Sequence, residues 1–403
     1  MKKIFFTVLF VLVFLAACDN ARNNIYSGLE DVDDADENSS EVTADEDHDK
    51  IERPDEAPRP GGGGNDNSND SNGSKDDDSE IPDDETGDDD YSENPVSDED
   101  NAENPDENQE KPDENTGEDE IYALEPDVGN CTSGIPSDSE KQKVLNRLNY
   151  IRSVHKLKPV KYNDAYDEMT GECALVIAAN KNLSHTPEKS WKCWSQVAYD
   201  GCYSSNISLA TATNYDLSAT DSAEIVDGFM TEENEVPPTT LGHRRWFIDP
   251  WLNSIAFGRA DYSDGSGHFV LGSAIRVINR DDPNDQQDIS DTDIKFVAYP
   301  FENYPQELYN DNVMMSFTVI SDRNSKIDNG TNVDFASATI AIIDPGNKTM
   351  KVKGIEWDNQ YYGVPNNLRW YTEGIKPNVK YNVTIKAQVN NNSESYQYWF
   401  ELK

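Results

Sequence analysis

The sequence predicts an α+β chain in which a unit of mixed helices and strands precedes an all-β sandwich, both behind a disordered acidic tether. Apolar residues recur every three or four positions in several stretches between residues 137 and 231, which is typical of amphipathic helices. From residue 254 onwards, β-branched and aromatic runs between Asn, Gly, Asp and Pro indicate strands. Between Asp19 and Asn130, 42 acidic side chains oppose 6 basic ones. The predicted segments are residues 1–18, 19–128, 129–285 and 286–403.

The N-terminus predicts export and lipid anchoring. Lys2 and Lys3 precede an almost unbroken apolar run over residues 4–17. Fourteen residues at about 1.5 Å each span roughly 21 Å, which is short of a bilayer core and typical of a signal peptide. The ending Leu15-Ala16-Ala17-Cys18 resembles the bacterial lipobox, so we expect a lipidated Cys18. This predicts a membrane-anchored lipoprotein of the bacterial cell envelope, extracytoplasmic or at the cell surface.

The segment 19–128 is predicted to be a disordered tether. It is composed mainly of Asp, Glu, Asn, Ser, Pro and Gly, with little apolar periodicity. Such a composition buries too little apolar surface to offset the conformational entropy of folding. Its charge excludes nucleic acid as a general partner, because an acidic surface repels phosphates. Spacing between the lipid and the folded cargo is its expected role, and a cation-binding or partner-binding acidic tail is the alternative.

Four cysteines follow the tether and predict two disulfides, because an even count in an exported chain is typical of oxidised pairs. They are Cys131, Cys173, Cys193 and Cys202. One of the three possible pairings joins Cys193 to Cys202 across a short loop, leaving Cys131 for Cys173. The sequence does not choose among the three.

Helix signals are concentrated in the first folded unit. Ser137 and Glu140 form a capping box that opens a helix ending near His155, where a cationic imidazole would favour the helix dipole. A second helix is predicted over residues 163–180. Asp221 and Glu224 mark a third, which the prolines at 237 and 238 must end. Strands are predicted at 254–259, 268–277, 294–299, 313–320, 338–343, 381–389 and 396–402.

The candidate chemistry rests on two histidines and an acidic pair. His185 follows the second helix, and His243 opens a short turn or helix about ten residues after Glu232 and Glu233. Two imidazoles and a carboxylate can hold zinc or another divalent cation and leave a position for water. A serine hydrolase using Ser184 or Ser205 is the other catalytic reading, although no Gly-x-Ser-x-Gly elbow supports it.

The order of several short motifs resembles the CAP superfamily of cysteine-rich secretory, antigen-five and pathogenesis-related proteins, in its bacterial form. The motifs are Asn149-Tyr150-Ile151-Arg152, Leu183-Ser184-His185, Asn206-Ile207, Gly242-His243-Arg244-Arg245 and Asp249-Pro250-Trp251-Leu252-Asn253-Ser254-Ile255. The resemblance covers residues 136–279 and implies an α-β-α sandwich. Residues 286–403 resemble immunoglobulin-like or fibronectin-like modules more loosely.

The CAP resemblance also implies a central cleft with two histidines and two acids, which in some members binds a divalent cation. His185 matches the first histidine, His243 the second and Glu232 one acid. The other acid is missing, because the family's Glu-Asn-Ile element stands here as Ser205-Asn206-Ile207. The resemblance therefore implies a three-ligand site at most.

These observations favour a binding module over an enzyme. The expected function is a lipid-anchored CAP-domain protein that binds a lipid, a glycan or a protein through its histidine cleft. One alternative is a metal-assisted hydrolase of the peptidase type that uses His185, His243 and Glu232. The other is a structural adhesin or spacer of the cell envelope.

Overall fold

The computed structural model describes residues 120–233, 240–278 and 285–403, which belong to one compact unit. Cys18 and residues 19–119 of the predicted tether lie outside the described residues. Six α-helices lie in the described ranges: α1 Asp138–Val154, α2 Asp167–Asn180, α3 Gln196–Tyr203, α4 Ser222–Thr231, α5 Gly242–Phe247 and α6 Asp328–Thr331. Within these ranges, no helix has the length and apolarity that crossing a membrane requires.

Fifteen strands accompany these helices in the same ranges. They are β1 Tyr122–Leu124, β2 Ile135–Pro136, β3 Lys161–Tyr162, β4 Ser205–Thr213, β5 Ser254–Ile255, β6 Phe257–Ser263, β7 His268–Arg276, β8 Phe296–Tyr299, β9 Glu302–Tyr304, β10 Met315–Val319, β11 Val333–Ile343, β12 Val352–Asp358, β13 Asn367–Thr372, β14 Tyr381–Val389 and β15 Asn392–Leu402. The mixture of helices and strands followed by an all-β region confirms the predicted fold class at this level.

Residues 120–128, which composition placed in the tether, are part of the fold. Strand β1 pairs with β2, and the buried Tyr122 donates a hydrogen bond to Asp261 in β6. The residue that fixes this segment lies 139 positions away in the chain. Local composition carries no signal of such a contact.

Helix α1 begins where the capping signal predicts, but only half of the box forms. The Ser137 hydroxyl accepts a hydrogen bond from the Glu140 backbone N–H at 3.3 Å. The Ser137 N–H instead donates to the Ile121 carbonyl, and the buried Glu140 carboxylate accepts from Ser222 Oγ. The reciprocal bond is lost because Glu140 faces the protein interior.

Helices α2 and α3 pack closely and are joined by a disulfide between Cys173 and Cys202. Gly201 makes the approach possible, since a Cβ there would lie 2.0 Å from the Met169 carbonyl oxygen. The second disulfide joins Cys131 to Cys193. Two disulfides are therefore confirmed, and the short Cys193–Cys202 loop is not formed.

A three-stranded antiparallel sheet in the order β4-β7-β6 lies between two helical layers. In the central strand β7, Val270 and Ala274 pack with residues of α2. Leu271 and Ile275 point to the opposite face and join the core formed by α1 and α4. Gly272 allows α2 to lie against the sheet, because a Cβ there would be 2.4 Å from the Ala174 carbonyl oxygen. The layering matches the α-β-α sandwich that the resemblance implies.

The C-terminal region contains two four-stranded sheets, ordered β12-β13-β10-β8 and β11-β14-β15-β9. Aromatic side chains pack between them, with the rings of Phe317 and Tyr396 5.4 Å apart. The alternation over residues 381–389 predicts β14 with its observed bounds. The one-turn helix α6 lies in a region where no helix was expected. The largest apolar cluster runs from α1 to β15, so the helical and all-β regions share one core.

Candidate functional site

His243 lies at the start of the short helix α5, where it is only 7% exposed. Its ring packs against Phe229 of α4, with ring centroids 5.0 Å apart. Its backbone carbonyl accepts a hydrogen bond from the side-chain amide of Asn206 at 3.0 Å. The histidine is therefore held by the α4–α5 packing and by the first residues of β4.

Glu232 caps the end of α4 in a left-handed conformation with φ 47° and is 5% exposed. Its Oε1 accepts a hydrogen bond of 2.6 Å from the backbone N–H of Arg244 in the first turn of α5. A charged acceptor at such a position satisfies an amide that the helix itself leaves unpaired. Glu232 thus connects α4 to α5 through the backbone beside His243.

Ser205 opens β4, directly before Asn206, and is 2% exposed. Within the described ranges its hydroxyl has no hydrogen-bond partner. A carboxylate at this position could reach towards a cation, whereas a hydroxyl is a weaker and uncharged donor for a divalent metal.

His185 follows α2 and is partly exposed, unlike Ser205, Glu232 and His243. Its Nδ1 makes a hydrogen bond of 2.8 Å with the carbonyl of Cys202 in α3. Because Cys202 is held to α2 by its disulfide, the imidazole is oriented by a rigid pair of helices. The neighbouring Ser184 hydroxyl accepts from the Thr186 N–H in a local turn.

Asn149 and Arg152 of α1 form hydrogen bonds with backbone groups of other segments. The Asn149 side chain donates to the Val160 carbonyl and accepts from the Val160 N–H. Arg152 is fully buried and donates to the carbonyls of Lys158, Phe247, Asp249 and Leu252. Burial lowers the pKa of Arg152 to about 10, so it stays protonated at neutral pH. These bonds fix the loop after α1 and the segment after α5 around one side chain.

Asn149 and Arg152 lie in the part of the chain that matches a known family model. Residues 145–272 match the CAP model, the cysteine-rich secretory protein family. The match runs from α1 to β7, contains His185, Glu232 and His243, and supports a CAP domain in this part of the chain. No curated protein matches the chain.

The described CAP-domain residues are not arranged as an assembled metal site. Glu232 Oε1 accepts from the Arg244 N–H, and the second acid of the CAP pattern is replaced by Ser205. Over the ranges that the structure describes, no group of three His, Cys, Asp or Glu side chains is placed to share a cation. Metal binding by His185, His243 and Glu232 stays a prediction.

Sequence reasoning missed the role of Arg244 in the Gly-His-Arg-Arg element of the CAP domain. Its fully buried guanidinium donates to the carbonyls of Met230, Thr231 and Met314, and lies 3.7 Å from the ring centre of Tyr299. Met314 and Tyr299 belong to the all-β region. The sequence signal was an arginine pair within an apolar context, which is unusual unless the charges have buried partners.

Arg245 makes a second connection from the CAP domain to the all-β region. It donates to Asp358 Oδ1 at 2.8 Å, and Arg369 donates to Asp358 Oδ2 at 2.6 Å. Burial alone would raise the pKa of Asp358, but the two guanidinium groups lower it. The carboxylate is therefore ionised, and it holds two arginines at the boundary between the regions.

His155 is not the cationic C-terminal residue expected from sequence. Its ring is buried beside Tyr304 and Tyr299, with ring-centroid distances of 5.5 and 6.4 Å. Burial, assisted by the charges of Arg244 and Arg152, lowers the pKa of His155 to about 3. The imidazole is therefore neutral, because the desolvation cost of a charge exceeds the small gain from a helix terminus.

Proposed function

We propose that this chain is a lipid-anchored, extracytoplasmic interaction module whose CAP domain binds a lipid, glycan or protein ligand beside His185. The CAP match supports an extracellular interaction role. The observation that carries the proposal is the contrast in accessibility among the candidate residues. Ser205, Glu232 and His243 are buried, whereas His185 is partly exposed on a rigid helix pair. A presented imidazole on a fixed scaffold suits recognition of a ligand.

Catalysis is less well supported than binding. A general base must reach a water or substrate proton, and Glu232 is buried with one oxygen held by the Arg244 N–H. A metal-activated water needs a bound cation with an open coordination position, and cation binding by these residues is itself only a prediction. A binding role needs neither an accessible general base nor a bound cation.

Direct binding assays with defined ligands test the proposal. The full chain is titrated with vesicles of anionic phospholipid, vesicles containing sterol, and purified peptidoglycan fragments. We expect one class to bind, His185→Ala to reduce its affinity by about tenfold, and His268→Ala, which removes an exposed histidine elsewhere, to leave it unchanged. Equal affinity for the parent and His185→Ala would place binding on another surface. Peptide hydrolysis that His243→Ala abolishes would favour the enzyme instead.

Lipid anchoring at Cys18 is a separate part of the proposal, because it rests on the Leu15-Ala16-Ala17-Cys18 sequence alone. Metabolic labelling with an alkyne fatty acid should label the parent and place it in the membrane fraction. Cys18→Ser should lose the label. A labelled Cys18→Ser variant, or an unlabelled parent, would contradict anchoring at this residue.

A further inference from the structure

Strand β12 forms one edge of the sheet β12-β13-β10-β8, and its outer side has no strand partner among the described residues. Such an edge presents a row of backbone N–H and C=O groups to which another strand can pair. Its side chains are open to solvent as well, since Ile355 is 50% and Trp357 is 44% exposed. An edge strand that exposes large apolar side chains is a candidate contact surface.

A bulge in β12 decides which of its side chains share a face of the sheet. Lys353 is paired with Tyr371 of β13. Glu356, three positions further along β12, is paired with Arg369, which is only two positions from Tyr371. Residues two apart in a regular strand such as β13 lie on one face. Lys353 and Glu356 therefore lie on the same face, although an odd spacing would separate them without the extra residue.

This arrangement makes β12 complementary to a second copy of itself. If two copies of β12 pair antiparallel about a two-fold axis through the bulge, Lys353 of each copy lies opposite Glu356 of the other. In the same register Val352 lies opposite Trp357, and the pairing with β13 puts these two on the other face. Opposite residues of an antiparallel pair must share a face, and both pairs meet that condition. A bulge can discourage edge pairing, but the two-fold axis places the extra residues of the two copies opposite each other, so the register is kept on both sides.

The two charges are accessible for this contact. The side chains of Lys353 and Glu356 are 46% and 41% exposed. Within their own chain Lys353 pairs with Glu373 at 2.6 Å and Glu356 with Arg369 at 3.2 Å. Exposed ion pairs of this kind contribute little to stability, so they exchange at small cost. Glu373 and Arg369 each keep another ion pair within the chain, Lys351–Glu373 at 3.5 Å and Arg369–Asp358 at 2.6 Å.

We propose that β12 is a dimer contact, at which it pairs antiparallel with β12 of a second copy of this chain and joins the two four-stranded sheets into one. One strand from each copy buries less than the roughly 1,600 Å² of a standard stable interface, so the dimer is weak. We expect a dissociation constant on the order of 10 to 100 µM. The contact does not involve the residues around His185, so it is independent of the proposed function.

Sedimentation velocity on the full chain tests the contact. The chain carries Cys18→Ser, so that no attached lipid drives association, and is measured from about 1 to 300 µM. Salt at about 150 mM screens repulsion between the acidic segments of the two copies. We expect monomer to convert to dimer and no further, because a two-fold contact closes on itself. A chain that stays monomeric over this range overturns the proposal, and so do assemblies that keep growing beyond the dimer.

Charge exchange tests the register. Lys353→Glu and Glu356→Lys each place like charges opposite one another at both symmetric contacts, so either variant alone should raise the dissociation constant by about tenfold or more. An equal mixture of the two restores opposite charges at both contacts and should dimerise as the parent does. Lys158→Glu is the matched control, because Lys158 is a 40% exposed lysine that pairs with Asp291 outside β12. It should leave dimerisation unchanged.

A mixture no more dimeric than the single variants overturns the proposal, as does a loss for Lys158→Glu equal to that for Lys353→Glu. Thermal unfolding checks that each variant is folded. If a charge variant does not fold, Ile355→Ser takes its place, because Ile355 is exposed and lies at the two-fold axis. This substitution should weaken the dimer several-fold, and an unchanged dissociation constant overturns the proposal.

Discussion

At the residue scale, polar side chains of the CAP motifs mainly hold backbone groups in place. Asn149 and Arg152 fix loops by bonding to carbonyls, and Glu232 caps the first turn of α5. A buried charge is tolerated only when several partners satisfy it, and Arg152 has four carbonyl acceptors. The CAP sequence pattern is therefore explained by side chains that hold the backbone of the domain in place. The chemistry of its cleft depends on the few side chains that remain accessible.

Ser205 offers a direct test of the lost carboxylate. Ser205→Glu supplies the acid that the CAP resemblance implies, so zinc affinity should rise by roughly tenfold or more, measured by calorimetry on chelator-treated protein. Adding His185→Ala to this variant should remove the gain, because it removes an imidazole donor. A variant that binds zinc no better than the parent would show that His185 and His243 do not converge with position 205.

We predict that the buried His155 lowers the free energy of unfolding in acid. Its pKa is about 3 in the folded chain against an ordinary value of 6.5, so below pH 6.5 the unfolded chain binds a proton that the native chain excludes. The stability that depends on a neutral His155 imidazole is fully present above pH 6.5 and is lost as the pH falls towards 3. Within this window, His155→Phe should reduce the slope of unfolding free energy by up to about 1.4 kcal/mol per pH unit, measured by urea titrations.

The control for this pH effect is His268→Asn, which removes a histidine from an exposed strand end. Hydrogen bonds from the Ser266 N–H and from His268 lower the pKa of Asp264 to about 2, so the comparison is made above about pH 5, where His268→Asn should keep the slope of the parent. Identical slopes for the parent and His155→Phe would mean that the buried imidazole does not set the acid limit.

At the element scale, α2 and α3 are defined by contact more than by their own sequences. Gly201 permits the approach, and the Cys173–Cys202 disulfide fixes it. The periodicity of residues 163–180 predicted α2, whereas α3 is only eight residues long and was missed. Strand β4 was also missed, since Ser, Thr and Ala occupy most of it and give a weak strand signal. By contrast, β14 alternates strictly and was predicted to the residue.

Removing the α2–α3 disulfide should therefore lower the free energy of unfolding. The paired variant Cys173→Ala, Cys202→Ala loses a cross-link over 29 positions as well as two fully buried sulfurs. We expect the free energy of unfolding to fall by about 3 to 4 kcal/mol, measured by urea denaturation. The matching pair Cys131→Ala, Cys193→Ala reports the effect of the other disulfide. A loss below about 1 kcal/mol for the first pair would show that packing alone holds the helices together.

At the scale of the whole molecule, the CAP domain and the all-β region form one folded unit. Their apolar residues belong to one continuous cluster, and Arg244 and Arg245 cross between them. Arg244 in particular joins the C-terminal end of α4 to the strand region, because it donates to the carbonyls of Met230 and Met314. The all-β region consequently supports the domain that carries His185, instead of hanging from it as a separate module.

Arg244→Lys tests this coupling. A lysine ammonium cannot span the carbonyls of Met230, Thr231 and Met314 together, so buried acceptors are left unsatisfied. The free energy of unfolding should fall by roughly 2 to 4 kcal/mol, measured by tryptophan fluorescence and circular dichroism. Arg323→Lys is the control, because Arg323 is less buried and makes one carbonyl bond, to Thr292. Equal stability of the two variants would contradict a coupling role for Arg244.

The sequence by itself determined the fold class, the start of α1, the strand β14 and the presence of two disulfides, because these depend on periodicity, capping and cysteine count among neighbouring residues. Only the tertiary structure decided the disulfide pairing, the neutral state of His155, the burial of Glu232 and His243, and the place of residues 120–128 in the fold. Each of these depends on residues far apart in the chain, such as Tyr122 and Asp261. Burial and charge at such contacts are set by packing, which no local pattern encodes.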